Sequence, residues 1–393
     1  MIGSVFVNTS RRQVQFQKRF FASKIGRAGK NIPPQIQEMM ERKLYNVTNH
    51  PISILSNIIR KYFETEKITD IEIPGEKFIC ESSFNSLVNT KKCFDDVLVP
   101  KDHVSRQPSD TYYFDDDTVL RPHTSAHQIE MIRSNHNAFL VLGDVYRRDT
   151  VDKTHYPAFH QMEGVRIFNY DQINAKDYDH AKKIAENDLK QTLLGLSSHV
   201  FGNIETRWMP ENFPFTDPSL ELEVFYNEDW MEILGCGVIH DQVMRNAGRD
   251  PEKEVGWAFG LGLDRWAMSL FQIPDIRLFW SKDERFLGQF KEGEITTFEP
   301  YSKFPACFKD ITFWIGEDYD ENGFMELIRD NSQDMVESVE CIDTFTHPKT
   351  QKTSKCYRIN YRHMDRNLTN EEVDEWQFKL RERVESELEL ELR

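Results

Sequence analysis

Two neighbouring stretches rich in apolar residues, 138–149 (AFLVLGDVYRRD) and 158–168 (AFHQMEGVRIF), are separated by a short polar, charged segment. This pattern predicts two strands joined as a hairpin. Because residues two apart lie on the same face of a strand, Arg147 and Asp149 should point to the same side. The returning strand places an aromatic ring, an amide and a carboxylate on one face: Phe159, Gln161 and Glu163. Polar residues of this kind are uncommon in a core, so the hairpin predicts the floor of a site for a small, charged, partly aromatic ligand.

The glycine-rich stretch 256–265 (GWAFGLGLDR) predicts a further strand with one large face and one small face. The large face, formed by Trp257, Phe259 and Leu261, is suited to packing on a core. The small face leaves a slot in which a ligand can lie against the backbone. Its residues are Gly256, Ala258, Gly260 and Gly262.

A helix is predicted to follow this strand and to begin near Asp264 and Arg265. A guanidinium beside a helix N-terminus is well placed to bind phosphate. The GLGLDR sequence lacks the third glycine of the dinucleotide-binding fingerprint, so an ordinary NAD enzyme is not predicted.

Helical spacing of apolar residues predicts long helices at 45–64, with Asn49 or a neighbour as the cap, and at 177–202. Beyond these helices, the C-terminal part has the order strand, helix, strand, strand, helix, strand, which predicts a ferredoxin-like domain. Its acidic ending, ELELELR, is less strand-like than the rest. The six predicted elements are 298–315, 320–331, 335–345, 354–363, 370–386 and 388–393.

Composition narrows the class of protein. A chain of 393 residues is long enough for two domains with separate cores, and its 28 phenylalanines indicate a globular protein. The net charge of −16 argues against a generally basic nucleic-acid binder, so any RNA contact must use local patches. The six cysteines show no CxxC spacing, and His155 and His160 fit no common zinc pattern.

Residues 1–30 contain seven Lys and Arg residues and no Asp or Glu. This pattern is typical of a mitochondrial presequence, and a basic tail without a targeting role is the alternative. The segment has no long apolar run, so neither a secretory signal nor a membrane anchor is predicted. We therefore expect the mature protein in the mitochondrial matrix, without membrane contact.

Five motifs together resemble class II aminoacyl-tRNA synthetases, and in detail the phenylalanine-specific family in its single-chain mitochondrial form. The resemblance covers roughly residues 45–393. It implies an α+β fold, in which a class II antiparallel sheet flanked by helices precedes a ferredoxin-like anticodon-binding domain. The motifs are RPHTSAHQ (121–128), THYPAFHQMEG (154–164), FPFTDPS (213–219), GCGV (235–238) and GWAFGLGLDR (256–265). The implied division is presequence 1–30, catalytic domain 31–293, linker 294–300 and anticodon-binding domain 301–393.

The resemblance implies that ATP activates L-phenylalanine as an acyl-adenylate, which is then transferred to the 3′ end of tRNA-Phe. Arg147 matches the arginine that contacts the α-phosphate and the substrate carboxylate, and Arg265 matches the one at the γ-phosphate side of a bent ATP. For both arginines the alternative is a surface ion pair. Asp149 stands where the family usually has Glu, which changes its reach toward adenine. The other implied ATP-site residues are His155 at the phosphates, Phe159 on the adenine ring, and the strand glycines Gly260 and Gly262.

A phenylalanine site needs an aromatic pocket and partners for the substrate ammonium. Phe213 and Phe215 are the implied walls and Ala258 the floor, with plain core packing as the alternative for the two rings. A pocket without a hydroxyl acceptor disfavours tyrosine by about 1–3 kcal/mol, which is a weak filter. The implied ammonium-binding set is His123, Thr124, Ser125, Gln128, Gln161 and Glu163.

Magnesium, the second implied cofactor, bridges ATP phosphates with few protein ligands. Glu221 and Glu223, on one face of SLELEVF, are the predicted ligands, and a solvated edge-strand face is the alternative.

The segment 347–366 is the basic part of an otherwise acidic C-terminal domain, and Asp365 is its one acid. Arg358 and Arg362 share a strand face, with Tyr357 and Tyr361 on the other. We expect basic groups here to contact tRNA phosphates and an aromatic ring to stack on an anticodon base. An ordinary charged strand pair is the alternative. The basic residues are Lys349, Lys352, Lys355, Arg358, Arg362 and Arg366.

Two other functions fit parts of the sequence. A non-catalytic paralogue that binds tRNA would not need Arg147, His155, Glu163 and Arg265, all of which are present. A ligase that adenylates biotin or lipoate would not need paired Phe walls or an anticodon-type domain. The class usually forms dimers through its first helix, but the resembled single-chain form acts alone, so we expect a monomer.

Overall fold

The structure is a computed structural model that describes residues 31–65, 69–300, 304, 306–332, 335–363 and 366–393. The predicted presequence, 1–30, lies outside the described residues. Within the described ranges, no helix combines the length and apolar character needed to cross a membrane. The helices are α1 (Pro34–Met39), α2 (Pro51–Thr65), α3 (Gln128–Arg133), α4 (Tyr178–Phe201), α5 (Asp241–Asn246), α6 (Leu263–Leu270), α7 (Glu284–Leu287), α8 (Glu321–Ser332) and α9 (Asn370–Glu387).

A large, mostly antiparallel sheet forms the centre of the first domain, in the order β1-β4-β5-β9-β8-β7-β6. β1 and β4 run parallel, and β2 and β3 form a separate ribbon. The strands are β1 (Ile79–Glu81), β2 (Leu87–Asn89), β3 (Thr118–Leu120), β4 (Ala138–Tyr146), β5 (Ala158–Asn169), β6 (Thr206–Glu211), β7 (Thr216–Tyr226), β8 (Asp229–Ile239), β9 (Glu254–Gly262), β10 (Cys307–Ile315), β11 (Val336–Thr346) and β12 (Thr353–Tyr361).

The predicted hairpin is confirmed as β4 and β5, but β4 ends at Tyr146 rather than at 149. The Arg147 amide still bonds to the Pro157 carbonyl, at 3.1 Å. The next amide, that of Arg148, bonds instead to the carbonyl of Asp110, outside the ladder. Arg147 and Asp149 therefore lie in the loop and not on a common strand face.

The two faces of β9 divide the core from the site. Trp257, Phe259 and Leu261 are buried in the main core, on the face covered by α2, α4 and α6, as their size predicts. On the opposite face, the register aligns four residues across the sheet: Glu163 on β5, Gly260 on β9, Gly235 on β8 and Glu221 on β7. Two glycines between two carboxylates leave this face hollow.

The predicted helix at 45–64 begins later, at Pro51. Proline favours the first position of a helix and disfavours helical backbone in the residue before it, which excludes His50. His50, the neighbour of Asn49, caps the helix, as the second form of the prediction allowed, since its Nδ1 accepts the Ile52 amide at 3.2 Å. Asn49 is not the cap, because its φ of +63° takes it out of the helix and its side chain accepts the Glu292 amide. The helix predicted at 177–202 is confirmed as α4, capped by Asp177.

The C-terminal domain has the predicted ferredoxin-like order, with a sheet β10-β12-β11 and helices α8 and α9 packed on it. β10 begins at Cys307 rather than at 298, a difference consistent with Pro300, which lacks the amide a ladder needs. The predicted last strand, 388–393, is reduced to an isolated bridge between Leu392 and Phe313.

Candidate active site

The hollow face of the large sheet opens into a cavity of about 700 Å³, a typical size for a small-molecule site. Most of the predicted substrate residues line it. Gly256 does not, because a side chain there would meet the Arg166 carbonyl of the neighbouring strand at 2.8 Å. The predicted residues that line the cavity are His123, Ser125, Gln128, Arg147, Asp149, His155, Phe159, Gln161, Glu163, Phe213, Phe215, Ala258, Gly260, Gly262 and Arg265.

One end of the cavity is built around Glu163, whose side chain is almost completely buried. Its Oε2 accepts hydrogen bonds from Ser125 Oγ at 2.5 Å and Thr124 Oγ1 at 3.3 Å. Its Oε1 has no hydrogen-bond partner in the described part of the chain. Burial raises the pKa of the Glu163 carboxyl to about 7, although both hydroxyls lower it. A buried carboxylate with one free oxygen is suited to an ammonium group.

Amide and imidazole groups surround this carboxylate. Gln161 Oε1 accepts the Thr124 amide at 3.1 Å, which orients the Gln161 side chain. A methyl group at Gly260 would stand 3.1 Å from Gln161 Nε2, so glycine keeps room for that amide. Gln128 Oε1 and His123 Nδ1 are buried without partners among the described residues. Burial lowers the pKa of His123 to about 3, so the ring is neutral.

Two parallel rings, Phe213 and Phe215, form an apolar wall beside this end, with centroids 6.0 Å apart. Gly235 is what admits the first ring, because a Cβ on Gly235 would lie 2.6 Å from Phe213. Ala258 also lines the cavity and contributes only a methyl group. The wall is therefore suited to a planar ring without polar substituents.

The other end of the cavity is more open and more highly charged. The Arg147 guanidinium lies 5.0 Å over the Phe159 ring, and its Nε donates to the Pro122 carbonyl at 2.9 Å. A guanidinium above a ring gives a place for a planar base and an anionic group side by side. Asp149 turns its side chain to the Thr150 amide at 2.8 Å, so it is engaged within the loop.

Two further charged pairs lie at this end. His155 Nδ1 is 2.6 Å from Asp152 Oδ2, and this hydrogen bond raises the pKa of His155. Arg265 Nη1 is 3.4 Å from Glu232 Oε2, with the Arg265 side chain half exposed. Arg265 is therefore engaged with Glu232, and contact with a phosphate would replace this long, half-exposed pair. A Cβ at Gly262 would meet nothing within 4 Å, so space does not explain that glycine.

The predicted magnesium ligands are placed differently from each other. Glu223 is paired with Arg207. Glu221 lies in the same cross-strand row as Glu163 but is not among the residues that line the cavity, and burial together with the carboxylates of Glu232, Glu211 and Glu223 raises its pKa. The described chain holds no group of three or more His, Cys, Asp or Glu side chains arranged for a metal. Carboxylates at Glu221 and Glu232 fit a Mg²⁺ ion that keeps most of its water and phosphate ligands.

The predicted tRNA-binding residues lie on the C-terminal domain, none of them lines the cavity, and most are paired within that domain. Lys349, in an exposed turn, forms no ion pair within the described residues. Tyr357 and Tyr361 are fully buried, because the sheet side that carries them packs against α8 and α9, so neither can be the ring that stacks on an anticodon base. The pairs are Lys352–Glu391 (3.1 Å), Lys355–Glu321 (3.2 Å), Arg358–Asp310 (2.9 Å), Arg362–Glu337 (3.4 Å) and Arg366–Glu372 (2.8 Å).

The sequence interpretation missed Glu232, Asp264 and Asn322, all of which line the cavity. Asp264 accepts the His160 amide at 2.6 Å and so ties the start of α6 to β5. Its place beside Arg265 in the GLGLDR motif was the available signal. Nothing in the sequence near Glu232 or Asn322 indicates a site residue. A register shift in β8 brings Glu232 to the cavity, and Asn322 comes from the C-terminal domain.

Comparison with known proteins gives a consistent result over nearly the whole chain. Residues 37–290 match the family model of the tRNA synthetase class II core domain (F), and residues 302–393 match that of the ferredoxin-fold anticodon binding domain. Among similar proteins, a chloroplastic/mitochondrial phenylalanine–tRNA ligase of Arabidopsis thaliana is 51% identical over 92% of this chain and 82% of its own length. A mitochondrial phenylalanine–tRNA ligase of Dictyostelium discoideum is 44% identical, covering 92% of this chain and 89% of its own length. The mitochondrial enzyme of Saccharomyces cerevisiae is 38% identical over 92% of both chains. This chain belongs to the phenylalanine–tRNA ligases of the class II tRNA synthetase family.

Proposed function

We propose that this member of the phenylalanine–tRNA ligase family activates L-phenylalanine with ATP and transfers it to the 3′ end of tRNA-Phe for mitochondrial translation. We place the enzyme in the mitochondrial matrix as a monomer, with catalytic domain 31–293, linker 294–300 and anticodon-binding domain 301–393. The observation that carries the proposal is the pairing, in one cavity, of a buried carboxylate beside two Phe rings with a guanidinium over a third ring.

In the first step, a phenylalanine carboxylate oxygen bonds to the α-phosphorus of ATP, and the bond to the β-phosphate bridging oxygen breaks to release pyrophosphate. Arg147 is positioned to hold the carboxylate against the α-phosphate and to neutralise charge on the reacting oxygens. His155 and Arg265 contact the phosphates that leave as pyrophosphate. When bound, Mg²⁺ neutralises phosphate charge, and Glu221 and Glu232 are the side chains that would hold it.

The substrate amino acid is oriented from its other end. The ammonium bonds to Glu163 Oε1 and to the polar side chains around it, Gln161 and the His123–Gln128 segment, while the ring enters between the Phe213 wall and Ala258. Tyrosine would place its hydroxyl against this apolar wall at a cost of about 1–3 kcal/mol. Weak tyrosine activation is therefore expected.

In the second step, a terminal ribose hydroxyl of the tRNA attacks the adenylate carbonyl and AMP leaves. We propose that the C-terminal domain binds the anticodon side through the six basic residues of 347–366. With Tyr357 and Tyr361 buried, the rings available for stacking lie on the open sheet face. Phe308 is 56% exposed, with Arg358 4.4 Å above it, and Arg393 lies between Trp314 and Phe345.

The test is amino-acid-dependent exchange of pyrophosphate into ATP by the full chain, across all twenty amino acids, followed by charging of tRNA-Phe. We expect exchange with phenylalanine, a weak signal with tyrosine, and transfer to tRNA-Phe. A folded protein that exchanges with no amino acid would contradict the proposal and favour a non-catalytic tRNA binder.

A further inference from the structure

The C-terminal domain reaches the cavity of the first domain. Asn322, at the start of α8, lines the cavity, and its Nδ2 donates to the Ser109 carbonyl at 3.1 Å. One residue that lines the activation site therefore belongs to the anticodon-binding domain.

A buried guanidinium makes the most direct link between the domains. Arg329 on α8 is only 6% exposed, and it donates to two successive carbonyls, those of Asp149 and, at 2.6 Å, Thr150. Both carbonyls belong to the loop between β4 and β5, which carries Asp149 and His155 into the cavity. Hydrogen bonds from a buried cation fix backbone more firmly than neutral ones.

Two further residues of this loop, Arg148 and Val151, also contact the C-terminal domain. Arg148 pairs with Glu326 at 2.9 Å and with Asp320 at 3.3 Å. Val151 packs into the hydrophobic core of the C-terminal domain, and its carbonyl accepts the Val339 amide at 2.9 Å. The ATP-binding loop is thus held by the second domain as well as by the first, where the Lys153 carbonyl accepts the Ile276 amide at 2.8 Å.

The residues around Glu163 have no such dependence. Ser125 and Thr124, which donate hydrogen bonds to Glu163, belong to the first domain, as do Phe213 and Phe215. The two substrates therefore meet surfaces supported by different parts of the molecule.

We propose that Arg329 is a positioning residue for ATP and that the docked C-terminal domain completes the ATP end of the activation site. This inference rests on the proposed function. The inference means that adenylate formation takes place while the C-terminal domain is docked and holds the ATP-binding loop in place. Loss of the contacts between Arg329 and the loop weakens ATP binding and leaves phenylalanine binding unchanged.

The test measures KM for each substrate in pyrophosphate exchange by the full chain. Arg329→Gln is expected to raise KM for ATP about tenfold or more, since a bond from a charged group is lost, with KM for phenylalanine within about twofold of wild type. Arg329→Lys keeps the charge and should recover part of the ATP affinity. Arg383→Gln is the matched control, because Arg383 pairs with Asp330 and Glu387 inside the C-terminal domain.

Val151→Ala provides an independent variant if Arg329→Gln does not fold, and it should raise KM for ATP in the same selective way. An unchanged KM for ATP in the folded variants, or an equal rise in both KM values, would overturn the inference. Absence of exchange by the wild-type chain would instead overturn the proposed function, and this inference with it.

Discussion

The two ends of the cavity are built on different principles. At the phenylalanine end, Glu163 and Gln128 are almost completely buried and their neighbours are already hydrogen-bonded. At the ATP end, the side chains of Arg265 and His155 are 50% and 42% exposed and are held in ion pairs. The first surface is buried and partly hydrogen-bonded within the protein before substrate arrives, which favours discrimination between similar small molecules. The second is polar and exchangeable, which suits a highly charged substrate and its metal.

The largest effect is expected at Arg147, whose guanidinium lies over the Phe159 ring at the ATP end. Arg147→Gln removes the guanidinium that we propose contacts both reacting groups, and it should lower kcat for pyrophosphate exchange by about 10²–10³-fold. Arg245→Gln is the control, because Arg245 is an exposed α5 residue paired with Asp241. A loss of less than about tenfold at Arg147, or an equal loss at Arg245, would contradict its role in the reaction.

A smaller but more selective effect is expected at Glu163. Glu163→Gln should raise KM for phenylalanine about 10–100-fold and leave KM for ATP unchanged, because only the ammonium loses a charged partner. Glu186→Gln is the control, because Glu186 is a partly exposed α4 residue paired with Lys190. Equal changes in both KM values would argue that Glu163 supports the whole cavity rather than one end.

The same carboxyl predicts a pH dependence with a definite sign. Burial raises the Glu163 pKa to about 7, so the group is mostly protonated below that pH and ionised above it. Only the ionised form attracts an ammonium, so KM for phenylalanine should fall as pH rises through about 7 in the wild type. Glu163→Gln should abolish this step. A step that persists in the variant would assign it to another group.

The smallest effect is expected in the basic segment, where five of the six residues are already paired. Arg358→Gln should weaken tRNA-Phe binding several-fold and reduce the salt dependence of log K by about 0.7–0.9 for one lost phosphate contact. Neutral variants are preferable to Arg362→Glu, which would place a second carboxylate beside buried Glu337. Lys379→Gln, paired with Glu375 on α9, is the control.

Amino-acid activation should not change in Arg358→Gln. If the salt dependence of tRNA binding is unchanged, Arg358 stabilises the sheet through its pair with Asp310 and does not contact the tRNA.

Local features of the molecule could be predicted from the sequence, but contacts between residues that are distant in sequence could not. The hairpin, the two faces of β9 and the order of C-terminal elements follow from local periodicity, which the chain displays directly. Arg329 could not be assigned to the ATP end, because it acts on carbonyls of Asp149 and Thr150 that are distant in sequence. The pairing of Arg358 with Asp310, like the burial of Tyr357, depends on strand register and on which face α8 covers.

The most direct test of the difference between the two ends is calorimetric titration of the full, ligand-free chain with L-phenylalanine near pH 7, in buffers of different ionisation enthalpy. We predict one-to-one binding without ATP, with release of about half a proton as the ammonium shifts Glu163 to its ionised form. Binding that requires ATP, or that releases no proton, would contradict a preformed phenylalanine end built around Glu163.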